Sequence, residues 1–199
     1  MSVPTATTHR ERLLREGARQ LYARGFHGTT VDGILEAAGV PKGSFYHHFG
    51  SKEAFAGEVL RRYMDLQLER LGRWSDIRGQ STPKVLSGYF REMADGFVRS
   101  DYRRGCLAGK LSTELAASHQ GFQEQLRSDM VAWKQGITTL LESGQARGDV
   151  RADRPAEALA DAVLALVQGA FVVALASQES ESLDSVCDAL ELLVTAPVR

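Results

Sequence analysis

An all-α fold of about nine helices is what these 199 residues predict, and three observations carry it. Apolar residues recur at helical spacing from Leu14 to Leu193. Nothing reads as a pair of alternating strands, and no segment repeats another. Helix punctuation stands where the periodic stretches begin and end, with Thr8, Thr30 and Ser51 at starts and Gly25, Gly39 and Gly148 at ends.

Taken in order, residues 1–7 are small and polar and predict no element. Thr8-His9-Arg10-Glu11 is a capping box, in which Thr8 and Glu11 satisfy each other's backbone N–H groups. Leu14, Ala18, Leu21 and Tyr22 mark the buried face of the first helix. The second starts at the N-cap Thr30 and buries Val31, Ile34, Leu35 and Ala38. Gly33 weakens it by about 1 kcal/mol relative to alanine, and Gly39 ends it. The third opens with Pro41 at a first helical position, where the missing N–H costs nothing, and fills two turns to Phe49. Ser51 caps the fourth, with Glu53 in its first turn. This helix runs to about Arg73 and turns Phe55, Val59, Tyr63 and Leu66 inward.

Residues 75–81 (SDIRGQS) read as a loop. Thr82-Pro83 opens the fifth helix, with Leu86, Phe90, Met93 and Phe97 as its stripe. Residues 100–105 break the pattern before a short sixth helix carrying Leu107, Leu111 and Leu115. The seventh holds Phe122, Leu126, Met130, Trp133, Ile137, Leu140 and Leu141, and stops at Gly148-Asp149. Asp153-Arg154-Pro155 opens an eighth, rich in alanine and valine to about Ala176. A ninth runs from about Ser182 to Thr195.

Composition bounds the class. With 43% hydrophobic and 25% charged residues the chain can build a core. No apolar run approaches the roughly 20 residues of a membrane span, and the first ten residues lack a signal-peptide core. The expectation is a cytoplasmic protein with no membrane partner. Two cysteines, 81 positions apart, make no disulfide framework. No Cys/His spacing fits zinc, and nothing calls for a metal or cofactor. Net charge is −1, but it is uneven. Residues 1–62 carry nine Lys/Arg against six Asp/Glu, and the remainder carries 15 against 19. A basic N-terminal part beside an acidic C-terminal one suits a chain whose first part meets phosphates.

The stretch Thr29–Lys52 gives that asymmetry a geometry. Two short helices and a tight turn present Lys42, Gly43, Ser44, Tyr46 and His47 on one side, while Phe45 and Phe49, four apart, anchor the other. That is the form of a recognition helix entering a DNA major groove. The alternative is an ordinary surface helix. On the DNA reading, Thr29, Thr30, Tyr46, His47 and Lys52 hold phosphates, and Lys42, Gly43 and Ser44 lie closest to base edges. A helical scaffold that binds only protein leaves the outward polar face of residues 42–47 unexplained.

The run TTVDGILEAAGVPKGSFYHHFGSKEAF resembles the signature of the tetracycline-repressor-like (TetR) family of bacterial transcriptional regulators. Paired threonines, A-A-G-V, K-G-S, Tyr-x-x-Phe and S-K-E stand at the family's usual distance from the N-terminus. The resemblance covers about a quarter of the chain and is specific; Gly33 is a departure inside it. It implies a helix-turn-helix DNA-binding domain over residues 1–54 and an effector-binding and dimerisation domain over 55–199. It also implies a homodimer that represses from a palindromic double-stranded operator and is released by a small-molecule effector.

The eighth helix is apolar on nearly every side, so it must be covered on every side. In a chain this short the expected cover is a second copy, the eighth and ninth helices of each forming a four-helix interface through Leu166, Val167, Ala170, Val186, Leu190 and Leu193. The alternative is a core helix of a monomer. A dimer would set two recognition helices about 34–36 Å apart, on successive major grooves. Tyr89, Phe90, Met93, Phe97, Cys106, Lys110, Trp133, Gln168 and Phe171 are candidates for an effector pocket between helices, although each aromatic also serves as plain core.

Cys106 has two readings. Arg103, Arg104 and Lys110 lie near it and a helix begins just after it, conditions that favour thiolate. Gly105-Cys106-Leu107 further resembles the electrophile-sensing subset of the family that includes the repressor of N-ethylmaleimide reductase, which implies a redox sensor. The other reading is a small apolar packing residue. Cys187, beside the apolar stripe of the ninth helix, is expected to be inert. The functional alternative is a cysteine-dependent enzyme acting on a small electrophile, with His119 as base. No phosphate loop, H-E-x-x-H or G-x-S-x-G supports it, and the expectation is no catalytic residue.

Overall fold

The computed structural model describes residues 8–117 and 119–197, and the expectation for residues 1–7 lies outside them. Among the described residues there are nine helices: α1 (His9–Arg24), α2 (Val31–Ala38), α3 (Lys42–Phe49), α4 (Lys52–Ser75), α5 (Thr82–Arg99), α6 (Leu107–Leu115), α7 (Gln120–Arg147), α8 (Ala156–Ser177) and α9 (Glu181–Val194). The fold is all-α, with a single antiparallel bridge between Val150 and Thr195 among those residues.

The caps form largely as their chemistry dictates. Thr8 Oγ1 accepts the Glu11 N–H at 3.2 Å, but the Glu11 carboxylate turns to Arg62 at 2.8 Å rather than back to Thr8. Thr30 Oγ1 accepts the Gly33 N–H at 3.1 Å. Gly39 ends α2 in the left-handed conformation, φ 60° and ψ 45°, which glycine adopts without a Cβ clash. Pro41 is the N-cap of α3, one place earlier than the spacing suggests. Ser51 Oγ accepts the Ala54 N–H at 3.1 Å and starts α4.

The helices gather into two compact units that are not two consecutive stretches of chain. Among the described residues, the first joins 8–63 to 107–127, and the second joins 64–106 to 128–197. In the first, α1, α2 and α3 pack on one another. Its core is aromatic. Phe45, Phe49 and Phe55 lie with ring centroids 4.8–5.3 Å apart, and Phe55 presses so closely on Gly17 that any Cβ there would stand 2.1 Å from the ring. Gly33 has a similar reason. Its carbonyl accepts the Gln20 side-chain amide at 2.9 Å, and a Cβ would sit 3.0 Å from Thr30 Oγ1.

In the second unit α9 packs on α5 and α8. Tyr89 and Trp133 are fully buried at its centre, where Trp133 Nε1 donates to Tyr89 Oη at 2.7 Å. Glu92 of α5 accepts from Arg70 Nε at 2.8 Å and Trp74 Nε1 at 2.7 Å, both on α4. Leu66, expected inward, is exposed. Contrary to the expectation from apolar run length, α8 is by length and composition able to cross a membrane. Less than half of it is buried within the chain.

Candidate nucleic-acid interface

The site grows from the split personality of α3. Its buried residues, Phe45 and Phe49, fix the helix to the aromatic cluster. Lys42, Gly43, Tyr46, His47 and His48 are exposed and Ser44 half-buried. Tyr46 keeps 49% of its surface free. Among the described residues, beyond its chain neighbours and its own helix backbone, no heavy atom stands within 4 Å of where a Gly43 Cβ would be, so packing there does not call for a glycine.

Electrostatics on this face are less simple than a row of cations. Lys42 Nζ lies 2.9 Å from Asp32 Oδ1, a carboxylate in the first turn of α2. The hydrogen bond to Asp32, and then its charge, push the lysine above its usual pKa. Lys52 stacks its ammonium 4.1 Å above the Phe26 ring. Burial is the main reason its pKa falls below the usual lysine value. It is both an anchor and a charge.

The structure separates the two threonines. Thr30 is exposed and caps α2. Thr29, expected on phosphate, has 0% exposure, and its hydroxyl donates to the Gly25 carbonyl at 2.7 Å. A side chain so placed holds the turn and reaches no ligand. Two residues outside the expected set stand beside it. His9 Nδ1 lies 3.4 Å from Ser44 Oγ, which sets the start of α1 against α3. His48, next to His47 with rings 5.3 Å apart, is exposed. The first is a contact over 35 residues, invisible to local spacing. The second could have been found from its place in the exposed half of α3.

Of the nine expected pocket residues, Lys110 parts company with the rest. It belongs to the first unit, where its ammonium donates to the Tyr22 carbonyl at 2.7 Å. The other eight lie in the second unit. Phe97 and Phe171 stack edge to face at 5.3 Å. Tyr89, Phe90, Met93 and Trp133 are buried. Cys106, 7% exposed, receives the Gln168 side-chain amide at 3.1 Å from Sγ. Phe90 and Phe171 border a shallow depression of about 10 Å³ with Val167, Ala170 and Cys187, far below the usual 300–1,000 Å³ of a ligand pocket. His119, the base of the alternative enzyme reading, lies in the first unit against the Phe26 ring at 6.2 Å.

The expected interface residues also divide. Val167, Ala170 and Leu190 are buried in the second unit's own core, and Val186 and Leu193 are half-buried. Leu166 is exposed, and with it Val172, Val173 and Leu175 of α8 and Leu192 of α9. A helix apolar on all sides gives no sequence cue to which side faces home.

Known proteins match along both units. The profile of bacterial regulatory proteins, tetR family, matches residues 13–59. That of the tetracyclin repressor-like C-terminal domain matches residues 84–190. The transcriptional regulator AcuR of Cereibacter sphaeroides is 35% identical over 170 residues, 85% of this chain and 77% of its own. The HTH-type transcriptional repressor DhaR of a Mycobacterium species is 35% identical over 183 residues, 89% and 88% of the two chains. The crystal structure of the reduced form of Escherichia coli NemR superposes with a TM-score of 0.82 at 29% identity, covering 96% of this chain and 99% of that one. Family membership implies dimeric behaviour and leaves no support for an enzyme. From its aromatic-anchored α3 to its C-terminal helices, the chain belongs to the tetR family of bacterial regulatory proteins and is a DNA-binding transcriptional regulator.

Proposed function

We propose that the chain is a repressor that binds a palindromic operator as a homodimer and is released by a small-molecule or electrophilic effector. On this reading residues 1–54 meet DNA, residues 55–199 bind the effector and the second copy, and the protein works in the cytoplasm, where its DNA is. The observation that carries it is α3, whose exposed Lys42, Gly43, Tyr46 and His47 back onto buried Phe45 and Phe49. Base edges fall to Lys42, Gly43 and Ser44, and phosphates to Thr30, Tyr46, His47 and Lys52. Repression is supported by the names of DhaR and NemR, both called repressors.

The exposed apolar side of α8, rather than lipid, is assigned to the partner copy. Its other side packs on α9, and Glu157 and Asp161 in its first turns hold Lys134 at 3.0 and 2.8 Å. Selection of bound fragments from random double-stranded DNA tests the whole reading. The expected product is a palindrome, bound more weakly by Tyr46→Ala at unchanged helical content. Recovery of no sequence, or of one that Tyr46→Ala binds equally well, would refute it.

For the effector, the electrophile reading is supported by the Gln168 side-chain amide, which donates to Cys106 Sγ at 3.1 Å and holds the sulfur in place. A quinone would take the sulfur at a ring carbon, forming an S–C bond while the thiol proton passes to the carbonyl oxygen. The expected result is release of the wild-type protein from its operator and retention of Cys106→Ser. Equal release of both, or of neither, assigns a non-covalent effector instead.

A further inference from the structure

Lys110 and Glu114 lie one turn apart on α6, far in sequence from the helix-turn-helix, yet both end on the corner between α1 and α2. Lys110 Nζ donates to the Tyr22 carbonyl at 2.7 Å. That carbonyl is in the last turn of α1, where four C=O groups lack intrahelical partners and the helix dipole is negative. Glu114 Oε2 accepts the His27 backbone N–H at 3.0 Å. The same carboxylate fills the space beside Gly25, whose φ is +70°; a Cβ there would stand 2.1 Å from Glu114 Oε1. A cation and an anion thus grip the corner at opposite chemical ends, one on a carbonyl and one on an N–H.

We propose that Lys110 and Glu114 are positioning residues for operator recognition. The corner they hold is the last fixed point before the reading helices. Gly25 O receives the buried Thr29 hydroxyl at 2.7 Å. The next residue, Thr30, caps α2, and α2 packs on α3. Shift the corner and the start of α2 shifts, with α3 after it. Nonspecific phosphate attraction tolerates such a shift because it depends on charge more than on register. Base-edge hydrogen bonds do not tolerate it. The pair therefore serves specificity, not bulk affinity. This inference rests on the reading in which α3 contacts bases.

The test uses the full chain, the operator recovered by selection, and a random-sequence duplex of equal length at one salt concentration. Lys110→Met and Glu114→Ala remove the grip, while Lys110→Arg and Glu114→Gln keep a donor and an acceptor. Operator affinity is expected to fall about tenfold in the first pair, with random-duplex affinity within about twofold of wild type. The second pair is expected to restore most of the loss. Amide exchange at residues 25–30 should quicken in Glu114→Ala while the core of α1 stays protected, a readout available even if the Lys110 variant folds poorly. Unchanged operator affinity in both disruptive variants overturns the inference. So does a parallel loss on both DNAs, or an exchange increase spread over the whole chain. A wild-type chain that selects no DNA sinks the repressor reading instead.

Discussion

Lys42 meets a carboxylate before it meets any nucleic acid. Its pairing with Asp32 at 2.9 Å holds the side chain in place but offsets the charge that phosphates would attract. Asp32→Asn keeps the shape of the α2 first turn and removes that competitor. Operator affinity is expected to rise about three- to tenfold at low salt and to return to wild type at high salt, where exposed charges are screened; fluorescence anisotropy at two salt concentrations checks it. The two cysteines separate on similar grounds. Burial pushes the Cys187 thiol from its ordinary 9.0 up to about 11, with the Arg91 charge pulling the other way. At pH 8 its thiolate population is then about a hundredfold below that of an ordinary thiol. Iodoacetamide is expected to leave Cys187 unlabelled in the native chain and to label it readily in urea, read by peptide mass. Thr29 marks where residue chemistry alone misleads. Threonine suits a phosphate contact and a buried turn equally, and only the contact to Gly25 decides.

Helices carry the next tier of consequence. Glu92 ties α5 to α4 through Arg70, Arg73 and Trp74. Burial opposes its ionisation, but the hydrogen bonds from Trp74 and Arg70 outweigh it, and the carboxyl sits below the ordinary glutamate value of 4.5. A depressed folded-state pKa stabilises the fold above the unfolded value and is lost as pH falls through the folded one. Glu92→Gln should therefore cost about 1 kcal/mol at pH 7 and nothing near pH 2, in urea titrations at each pH. Much at this scale was legible. The caps at Thr8, Thr30 and Ser51, the glycine stop at Gly39 and the aromatic anchor at Phe45 and Phe49 are local chemistry, decided within four residues. What escaped is non-local. Gly33 looked like a defect until Gln20 arrived from α1. Lys110 carried no local sign that its ammonium would reach the Tyr22 carbonyl, 88 residues away. The inward side of α8 was unreadable because every side is apolar, so Val167 and Leu190 were indistinguishable from the residues that lie outside.

For the molecule as a whole, that uncovered side is decisive. Val172 is 66% exposed and Leu192 81%. Val172→Asp or Leu192→Asp is expected to yield monomers with helical content kept and operator affinity reduced at least tenfold, by sedimentation and DNA titration. Leu190→Asp, buried in the chain's own core, should instead unfold it, since an unpaired buried charge costs several kcal/mol. Dimers surviving Val172→Asp would place the interface elsewhere. On the proposed dimer, the same stripe also gives the protein a memory of its own abundance. If a second copy covers that face, folding becomes a second-order event, and the midpoint of heat unfolding should climb with protein concentration. Newly made chains in a cell holding few of them wait longest for cover, and a waiting chain is open to proteolysis. A regulator built this way sets a floor on its own copy number, below which promoters would be left unoccupied for want of a partner rather than for want of affinity.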